Sequence, residues 1–263
     1  MQPCSRIGNA GLWLRRARRL GQALRRWTAA SGFPRHPRHA NKRPGRQATD
    51  GAEGLAVSDQ GLGLLQQMLP ASVFGLRTEA NIGVVAPWFL KSLDIPGDAC
   101  EFGCFRGTMS IKFAYALKVL GRDKTIYAFD TFEGFQIADP AGGALGIGAY
   151  SDNHNAFEEL TRWGAAIPVR PVKGDARETC KLLKNTLSFV WLDIDFDILM
   201  EPVLDAIWPL LTPGTIIGID DVGRPETPSV APWVDRITKE GKLIELARYP
   251  GDFIRFFHAN LAK

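Results

Sequence analysis

Short apolar runs recur along the chain after Gly97, and each is followed by a polar turn and a stretch with helical spacing. The five runs are DACEFG, TIYAFD, PVRPVKGD, FVWLDID and GTIIGIDD, which start at residues 98, 125, 168, 189 and 214. Strands that alternate with helices are typical of a mostly parallel sheet with helices on both faces. The pattern predicts an α/β fold with a doubly wound, Rossmann-like sheet.

The last segment departs from this alternation. A predicted helix at 231–239 is followed by two strand-like runs, LIELARY and DFIRFFH, which are joined at Pro250-Gly251. Proline followed by glycine favours a tight turn between antiparallel strands. We therefore expect a C-terminal antiparallel hairpin.

The region before the first strand has a different character. Residues 58–93 have helical spacing, and Pro70 and Pro87 are expected to break helices or start them. Residues 11–28 form a candidate amphipathic helix rich in arginine, and 34–47 are typical of a flexible linker. We expect a basic extension at 1–54, a helical cap or flank at 55–95 and the main domain at 96–263.

Three interpretations of the basic extension stay open: an interfacial helix on anionic lipid, a targeting presequence, or a solvated extension that includes a misassigned start. The third is favoured, because the extension is poor in serine and has no uninterrupted apolar region. No apolar run is long enough to cross a bilayer. We expect a cytoplasmic protein.

Charge is divided unevenly along the 263 residues. The net charge is +4, but twelve lysines and arginines precede Asp50, the first acidic residue, so 20 basic residues face 28 acidic ones in the remainder. The chain from Asp50 onward has a formal charge of −8, so it lacks the broad basic surface that binding to a nucleic-acid phosphate backbone requires. Nucleic-acid binding by the folded domain is therefore not expected. The four cysteines lack the paired spacing of a zinc site.

The first strand ends in a glycine-containing turn, Glu101-Phe-Gly-Cys-Phe-Arg-Gly. Gly103 and Gly107 permit a tight turn before a helix that is expected to start near Thr108. Phe105 occupies the second glycine position of the dinucleotide-binding pattern, and Glu101 would repel phosphate. The turn favours a cationic ligand that carries no phosphate.

Two further strand ends carry carboxylates. Asp130, followed by Thr131, ends the second strand, where an acid can accept hydrogen bonds from both hydroxyls of a ribose. Asp175, followed by Ala176, lies in a turn that could contact an adenine edge. An aspartate in such a turn also commonly caps a helix, so both interpretations stay open for Asp175.

The densest group of acids follows the fourth and fifth strands, in the segments DIDFD and IDD. Converging carboxylates repel one another unless a cation or protons intervene, and hard oxygen ligands suit Mg²⁺, Mn²⁺ or Ca²⁺. Asp193, Asp220 and Asp221 are the candidate metal ligands. Asp197 and Asp205 are expected to be solvated or to cap helices.

The segments EFGCFRG, YAFDTFEGF, DIDFD and LLTPGTIIGIDD, in this order, resemble the macrocin-type O-methyltransferases of the TylF, MycF and NovP group. The resemblance covers roughly residues 98–225. It implies a class I methyltransferase fold, whose inventory is five parallel strands and a terminal hairpin. It also implies S-adenosylmethionine as cofactor, a divalent metal such as Mg²⁺ held by Asp193, Asp220 and Asp221, and Asp195 as general base. Asp197 and Thr215 depart from the family pattern, where tyrosine and a second glycine are common.

The resemblance leads us to expect methyl transfer to a hydroxyl of a small molecule such as a sugar or a polyketide-type natural product. The residues predicted to bind the cofactor follow the first four strands: Glu101, Gly103, Arg106, Gly107, Asp130, Thr131, Asp175, Ala176 and Asp193. Residues 139–154 are expected to form a mobile lid, in which His154 is either a substrate contact or a plain loop residue.

Other functions stay open at this point. The acidic cluster could bind substrate without a metal, or the chain could bind the cofactor without catalysis. A nicotinamide oxidoreductase ranks last, because the glycine turn lacks the phosphate-binding pattern. The sequence leaves the identity of the acceptor and the oligomeric state open, and a homo-oligomer is compatible with it.

Overall fold

A computed structural model describes residues 79–151 and 155–262. The basic extension, most of the predicted helical flank and His154 lie outside the described residues, so the expectations for them stay predictions. The domain boundaries also stay a prediction. In the described part of the chain, no helix is long and apolar enough to span a membrane.

A seven-stranded mixed sheet forms the centre of the fold, in the order β3-β2-β1-β4-β5-β7-β6. β1 to β5 are parallel, β7 pairs antiparallel with β5, and β6 pairs antiparallel with β7. This topology confirms the predicted doubly wound sheet and the terminal hairpin. The strands are β1 Asp98–Phe102, β2 Ile126–Asp130, β3 Val169–Lys173, β4 Leu187–Leu192, β5 Leu211–Ile219, β6 Leu243–Tyr249 and β7 Ile254–Ala259.

Helices precede, connect and follow the parallel strands. They are α1 Glu79–Ser92, α2 Thr108–Leu120, α3 Ala156–Gly164, α4 Ala176–Thr179, α5 Asp197–Ile207 and α6 Val230–Lys239, with short 3₁₀ turns at Cys180–Leu182 and Trp208–Leu210. α2 ends at Gly121, whose positive φ of 62° lets its amide bond to the carbonyls of Leu117 and Lys118. The chain adds strands outward from β1 to β3 and then returns to β4, so strand order reverses between β1 and β4. Ligands of such sheets bind beyond the carboxyl ends of the strands at this point.

Aromatic side chains fill both faces of the central strands. All five residues of β1 and all six of β4 are buried. On one face Phe102 stacks on Phe129 with 4.6 Å between ring centroids. A second cluster stacks Phe89 of α1 on Phe113 of α2 at 4.2 Å and sets Phe89 edge-on to Phe189 of β4 at 5.5 Å. These contacts fix α1 and α2 against the sheet and hold the strand ends in place.

Pro87 lies inside α1, so the expectation that it breaks or starts a helix was wrong. Proline removes one backbone donor and crowds the carbonyl four residues earlier, which here belongs to Gly83. Burial compensates for that loss, because Val85, Ala86 and Phe89 are at most 1% exposed. Tertiary packing keeps the helix continuous where local propensity favours a break.

Candidate functional site

A cavity of about 240 Å³ opens at the carboxyl ends of β1, β2, β4 and β5. Nearly all of the predicted site residues line it. Those that line it are Glu101, Gly103, Arg106, Asp130, Thr131, Asp175, Ala176, Asp193, Asp195, Asp220 and Asp221. Gly107 is not part of the lining; a Cβ there would lie 2.4 Å from the Leu160 side chain, so this glycine permits α3 to pack.

The strand register explains why distant residues meet here. Phe102 pairs with Leu192, which places the next residues, Gly103 and Asp193, side by side. A Cβ on Gly103 would lie 1.8 Å from the Asp193 carbonyl oxygen, and the φ of Gly103 is +86°. Only glycine therefore allows β1 and β4 to end this close together. The amide of Asp193 donates to the Phe102 carbonyl at 2.9 Å and completes the junction.

Glu101 is 4% exposed and faces α2. Its carboxylate accepts a short hydrogen bond from the Ser110 hydroxyl in the first turn of that helix. This contact orients the carboxylate at the floor of the cavity. Sequence reasoning did not identify Ser110, because its relation to Glu101 depends on how α2 packs.

Asp130 holds two turns together at the end of β2. One carboxylate oxygen accepts the Phe105 amide at 2.8 Å, and the other accepts the Phe132 amide at 2.7 Å. Burial raises the pKa of Asp130, and the two backbone hydrogen bonds oppose that rise. Each carboxylate oxygen can accept a further hydrogen bond beside these two. The predicted contact with a ribose therefore stays a prediction.

Asp175 is the N-cap of the short helix α4. It accepts the Arg177 amide at 2.9 Å and also pairs with the Arg177 guanidinium, with Nη2 to Oδ2 at 2.5 Å. The hydrogen bonds from the Arg177 side chain lower the pKa of Asp175. The carboxylate therefore has a structural role already, and its predicted contact with an adenine edge stays a prediction.

Three aspartates form a compact oxygen cluster beyond β4 and β5. One carboxylate oxygen from each of Asp193, Asp220 and Asp221 lies within 4.8 Å of the other two. The pairing of Leu192 with Ile219 sets Asp193 beside Asp220. Asp220 and Asp221 are 2% and 3% exposed, so three carboxylates share a poorly hydrated space. Their distances and hard oxygen donors fit a divalent cation.

Asp195 completes the acidic wall. It is buried and has a φ of 58°, a left-handed conformation that turns the chain between β4 and α5. Burial raises the pKa of Asp195 well above its ordinary value, and the charges of Asp221, Asp193 and Asp220 raise it further. A carboxylate whose proton affinity is raised in this way is a stronger base than an ordinary aspartate.

Two functional candidates were missed by sequence reasoning. The Nε atom of Arg224 lies 2.5 Å from Oδ1 of Asp221 and brings a positive charge to the cluster. Tyr150 lines the same cavity, and burial followed by the charges of Asp195, Asp221 and Asp193 raises the pKa of its hydroxyl. Arg224 could have been found from its position three residues after Asp221. Tyr150 could have been found as the tyrosine of the glycine-rich stretch 139–154.

The described part of the predicted lid is an internally bonded loop. The carboxylate of Asp139 accepts the amides of Ala141 at 2.8 Å and Gly143 at 3.2 Å. Phe135 exchanges two backbone hydrogen bonds with the other end of the loop, donating to Ala149 at 2.9 Å and accepting from Gly148 at 2.8 Å. These contacts bring Tyr150 to the cavity; the mobility of the lid stays a prediction.

Cys104 lies within the glycine turn and is buried. Burial raises the pKa of this thiol well above its ordinary value, and the charge of Asp130 raises it further. Cys100, in β1, has a pKa raised for the same first reason. Neither thiol is set up as a nucleophile, because the thiolate is the reactive form.

A family model described as a methyltransferase domain matches residues 100–222, a segment that contains every residue lining this cavity except Arg224. The match indicates a methyltransferase domain in this segment. The match confirms the prediction that the chain is a methyltransferase. A comparison with curated proteins found no match.

Solved structures agree with the fold of this methyltransferase. The calicheamicin methyltransferase CalS11 superposes with a TM-score of 0.61 at 18% identity, over 83% of this chain and 99% of that chain. The O-methyltransferase NovP superposes with a TM-score of 0.52 at 18% identity, over 69% of this chain and 78% of that chain. NovP is a named member of the group that the sequence resembles, so the resemblance is confirmed at the level of the fold.

The structure accounts for one of the two departures from the family pattern. Thr215 of the methyltransferase domain is fully buried, and its hydroxyl donates to the Leu187 carbonyl at 2.6 Å and accepts the Thr212 amide at 2.8 Å. The hydroxyl thus ties the irregular start of β5 to β4. Asp197 is the first residue of α5, where a negative charge is favourable.

Proposed function

We propose that the chain is an S-adenosylmethionine-dependent O-methyltransferase that uses a divalent cation and acts on a hydroxyl of a small molecule. One observation carries the proposal: a single cavity joins the glycine turn after β1 to the oxygen cluster after β4 and β5. A methyl donor and a hydroxyl acceptor must meet within bonding reach, and this cavity offers a side for each.

The cofactor side is formed by the ends of β1 and β2. The methyl donor carries a positive sulfonium and a ribose, and the chain presents Glu101 and Asp130 on this side. Glu101 supplies a buried negative charge held by Ser110, and Asp130 supplies acceptor oxygens at the end of the strand. A phosphate-bearing cofactor would be repelled by this pair of carboxylates.

The metal side is formed by Asp193, Asp220 and Asp221, which would hold the cation through one oxygen each. A divalent cation in this position would lower the pKa of an acceptor hydroxyl and fix its orientation. The chain contributes three pre-positioned carboxylates whose mutual repulsion the ion would relieve. Strand register, and not loop adaptation, sets the distance between Asp193 and Asp220.

Asp195 is proposed as the general base. It takes the proton of the acceptor hydroxyl as the new carbon–oxygen bond forms and the carbon–sulfur bond breaks, which leaves S-adenosylhomocysteine. Its burial beside the cluster supports this role, because an ordinary aspartate is too weak a base to accept a hydroxyl proton at neutral pH.

The acceptor side carries Phe135, Tyr150 and Leu199, an apolar and aromatic surface with one hydroxyl. This composition fits an acceptor with an apolar face and vicinal polar groups, such as a sugar or a polyketide-type product. One CalS11 structure, with a TM-score of 0.51, is described as a TDP-rhamnose 3′-O-methyltransferase, which supports a sugar acceptor.

A metal-independent methyltransferase is the second candidate. The observation that favours it is the pairing of Arg224 with Asp221, since this side chain already brings positive charge to the cluster. In that case the remaining carboxylates would bind polar groups of the acceptor directly.

Substitution of Asp220 by alanine tests the metal. We expect at least a hundred-fold loss of methyl transfer from S-adenosylmethionine to a panel of sugar and polyketide hydroxyls, together with weaker Mn²⁺ binding. Cofactor affinity, measured by calorimetry, should change little because Asp220 lies on the metal side. Exhaustive EDTA treatment of the unaltered protein should give the same loss, and added Mg²⁺ should reverse it.

Asp205→Ala is the matched control, because it removes an exposed carboxylate that pairs with Lys242 away from the cavity. It should leave activity within about two-fold, as expected for an exposed ion pair. Activity that survives both EDTA and Asp220→Ala would show that no metal takes part. Tight cofactor binding without methylation of any acceptor would favour a non-catalytic binding module.

A further inference from the structure

The turn after β5 sets a cation against the proposed metal ligands. The Nε atom of Arg224 lies 2.5 Å from Oδ1 of Asp221. The turn is held by its own backbone, since the Arg224 amide donates to the Asp221 carbonyl at 3.1 Å. The buried hydroxyl of Thr227 donates to the same carbonyl at 3.2 Å. The ion pair is therefore built on a fixed turn.

The hairpin between β6 and β7 supports this turn from outside. The Val222 amide donates to the Phe253 carbonyl at 2.8 Å. The guanidinium carbon of Arg224 lies 5.3 Å from the centroid of the Phe253 ring, within the range of a cation–π contact. Ring and carboxylate together direct the guanidinium toward the cluster, although its side chain is 37% exposed.

The charges around Arg224 are unbalanced. Asp193, Asp195, Asp220 and Asp221 lie on the same cavity wall, and three of them are buried. Like charges in a poorly hydrated space repel strongly, so a cation in contact with one of them lowers the energy of the whole cluster. Arg224 supplies that cation in the metal-free chain.

A divalent ion at this cluster takes an oxygen of the Asp221 carboxylate, and Arg224 already contacts Oδ1 of the same carboxylate. Two cations drawn to one carboxylate also repel each other. We propose that Arg224 is a resident counter-ion of the aspartate cluster, which a divalent cation must displace from Asp221 in order to bind. This inference rests on the metal site of the proposed function, and it assigns to Arg224 control over how tightly that site binds.

Calorimetric titration with Mn²⁺, in the absence of S-adenosylmethionine, tests the inference. Arg224→Met removes the charge but keeps a side chain that can pack on Phe253, and we expect it to bind Mn²⁺ at least ten-fold more tightly than the unaltered chain. Arg224→Lys keeps the charge and should stay within about three-fold. The metal-free Arg224→Met protein should unfold at a lower temperature, and saturating Mn²⁺ should restore that temperature.

Arg236→Met is the matched control. It also removes one positive charge, from an exposed pair with Glu201 on α5 at 2.7 Å, and should leave Mn²⁺ affinity unchanged. Arg224→Gln provides a second neutral substitution, which keeps the test intact if the methionine variant does not fold. Both neutral variants must shift the affinity in the same direction.

The outcomes separate this inference from the proposed function. If the unaltered chain binds Mn²⁺ and the neutral variants bind it equally or more weakly, Arg224 is no competitor and the inference is overturned, while the metal site stands. If only the neutral variants bind Mn²⁺, the inference stands and the metal requirement fails. If none of them binds the ion, both are overturned.

Discussion

Gly103→Ala is expected to destabilise the protein by about 3–5 kcal/mol, the sum of left-handed backbone strain and overpacking against a backbone atom. The added Cβ would lie 1.8 Å from the carbonyl oxygen of Asp193, so either β1 or β4 must move. For a domain of this size the unfolding temperature should fall by roughly 10 °C. Because the displaced carbonyl belongs to a proposed metal ligand, Mn²⁺ affinity should fall as well.

Gly121→Ala is the control that separates the cost of a left-handed backbone from the cost of a steric clash. Gly121 also has a positive φ, +62°, but a Cβ there would meet no atom within 4 Å. We expect a loss of about 1–2 kcal/mol, the cost of the left-handed conformation alone. Urea denaturation of both variants gives the comparison. Equal losses for the two substitutions would contradict the close approach of β1 and β4.

Asp195→Asn is expected to slow methyl transfer by about 10²–10⁴-fold, the usual contribution of a general base. The same substitution should stabilise the metal-free protein at pH 8. Burial and the neighbouring carboxylates raise the pKa of Asp195 in the folded chain, so the folded state binds its proton more tightly than the unfolded state does. This carboxyl therefore contributes stability at low pH, and that contribution is lost as the pH rises through the raised pKa.

Asparagine carries no charge, so the destabilisation that the buried Asp195 carboxylate causes at pH 8 disappears. We expect the unfolding temperature to rise by about 2–4 °C for each kcal/mol of stability regained. The gain over the unaltered chain should shrink as the pH falls and vanish in acid, where the carboxyl is protonated in both the folded and the unfolded chain. Asp197→Asn, two residues later on the half-buried first turn of α5, should change both rate and stability little. If Asp195→Asn were less stable than the unaltered chain at pH 8, repulsion between the carboxylates would not be what destabilises this cluster.

Sequence patterning predicted the parts of the fold that depend on local periodicity. The five parallel strands, the start of α2 at Thr108 and the terminal hairpin all follow from runs of apolar residues and turn signals. The convergence of Asp193 and Asp220 was predictable for a related reason: parallel strands end at one edge of a sheet, and both residues follow a strand directly.

The remaining features depend on tertiary contacts that no local pattern encodes. Arg224 reaches the cluster because Asp221 has a φ of 61° and the following turn is pinned to Phe253. Glu101 meets Ser110 because α2 packs on β1, and Pro87 stays helical because its neighbours are buried. In each case a distant segment decides the conformation, so the sequence alone predicted neither the contacts of Arg224 and Ser110 nor the helical conformation at Pro87.

The buried thiol of Cys104 can report how often the glycine turn opens. Since the thiol must reach solvent and ionise before an alkylating reagent can modify it, the labelling rate at this position counts excursions of the turn away from β4. Cys100, inside β1, serves as the slower reference, which reacts only when the sheet itself comes apart. Peptide-resolved mass spectrometry of the two positions can thus follow ligand occupancy of the turn with no acceptor and no turnover.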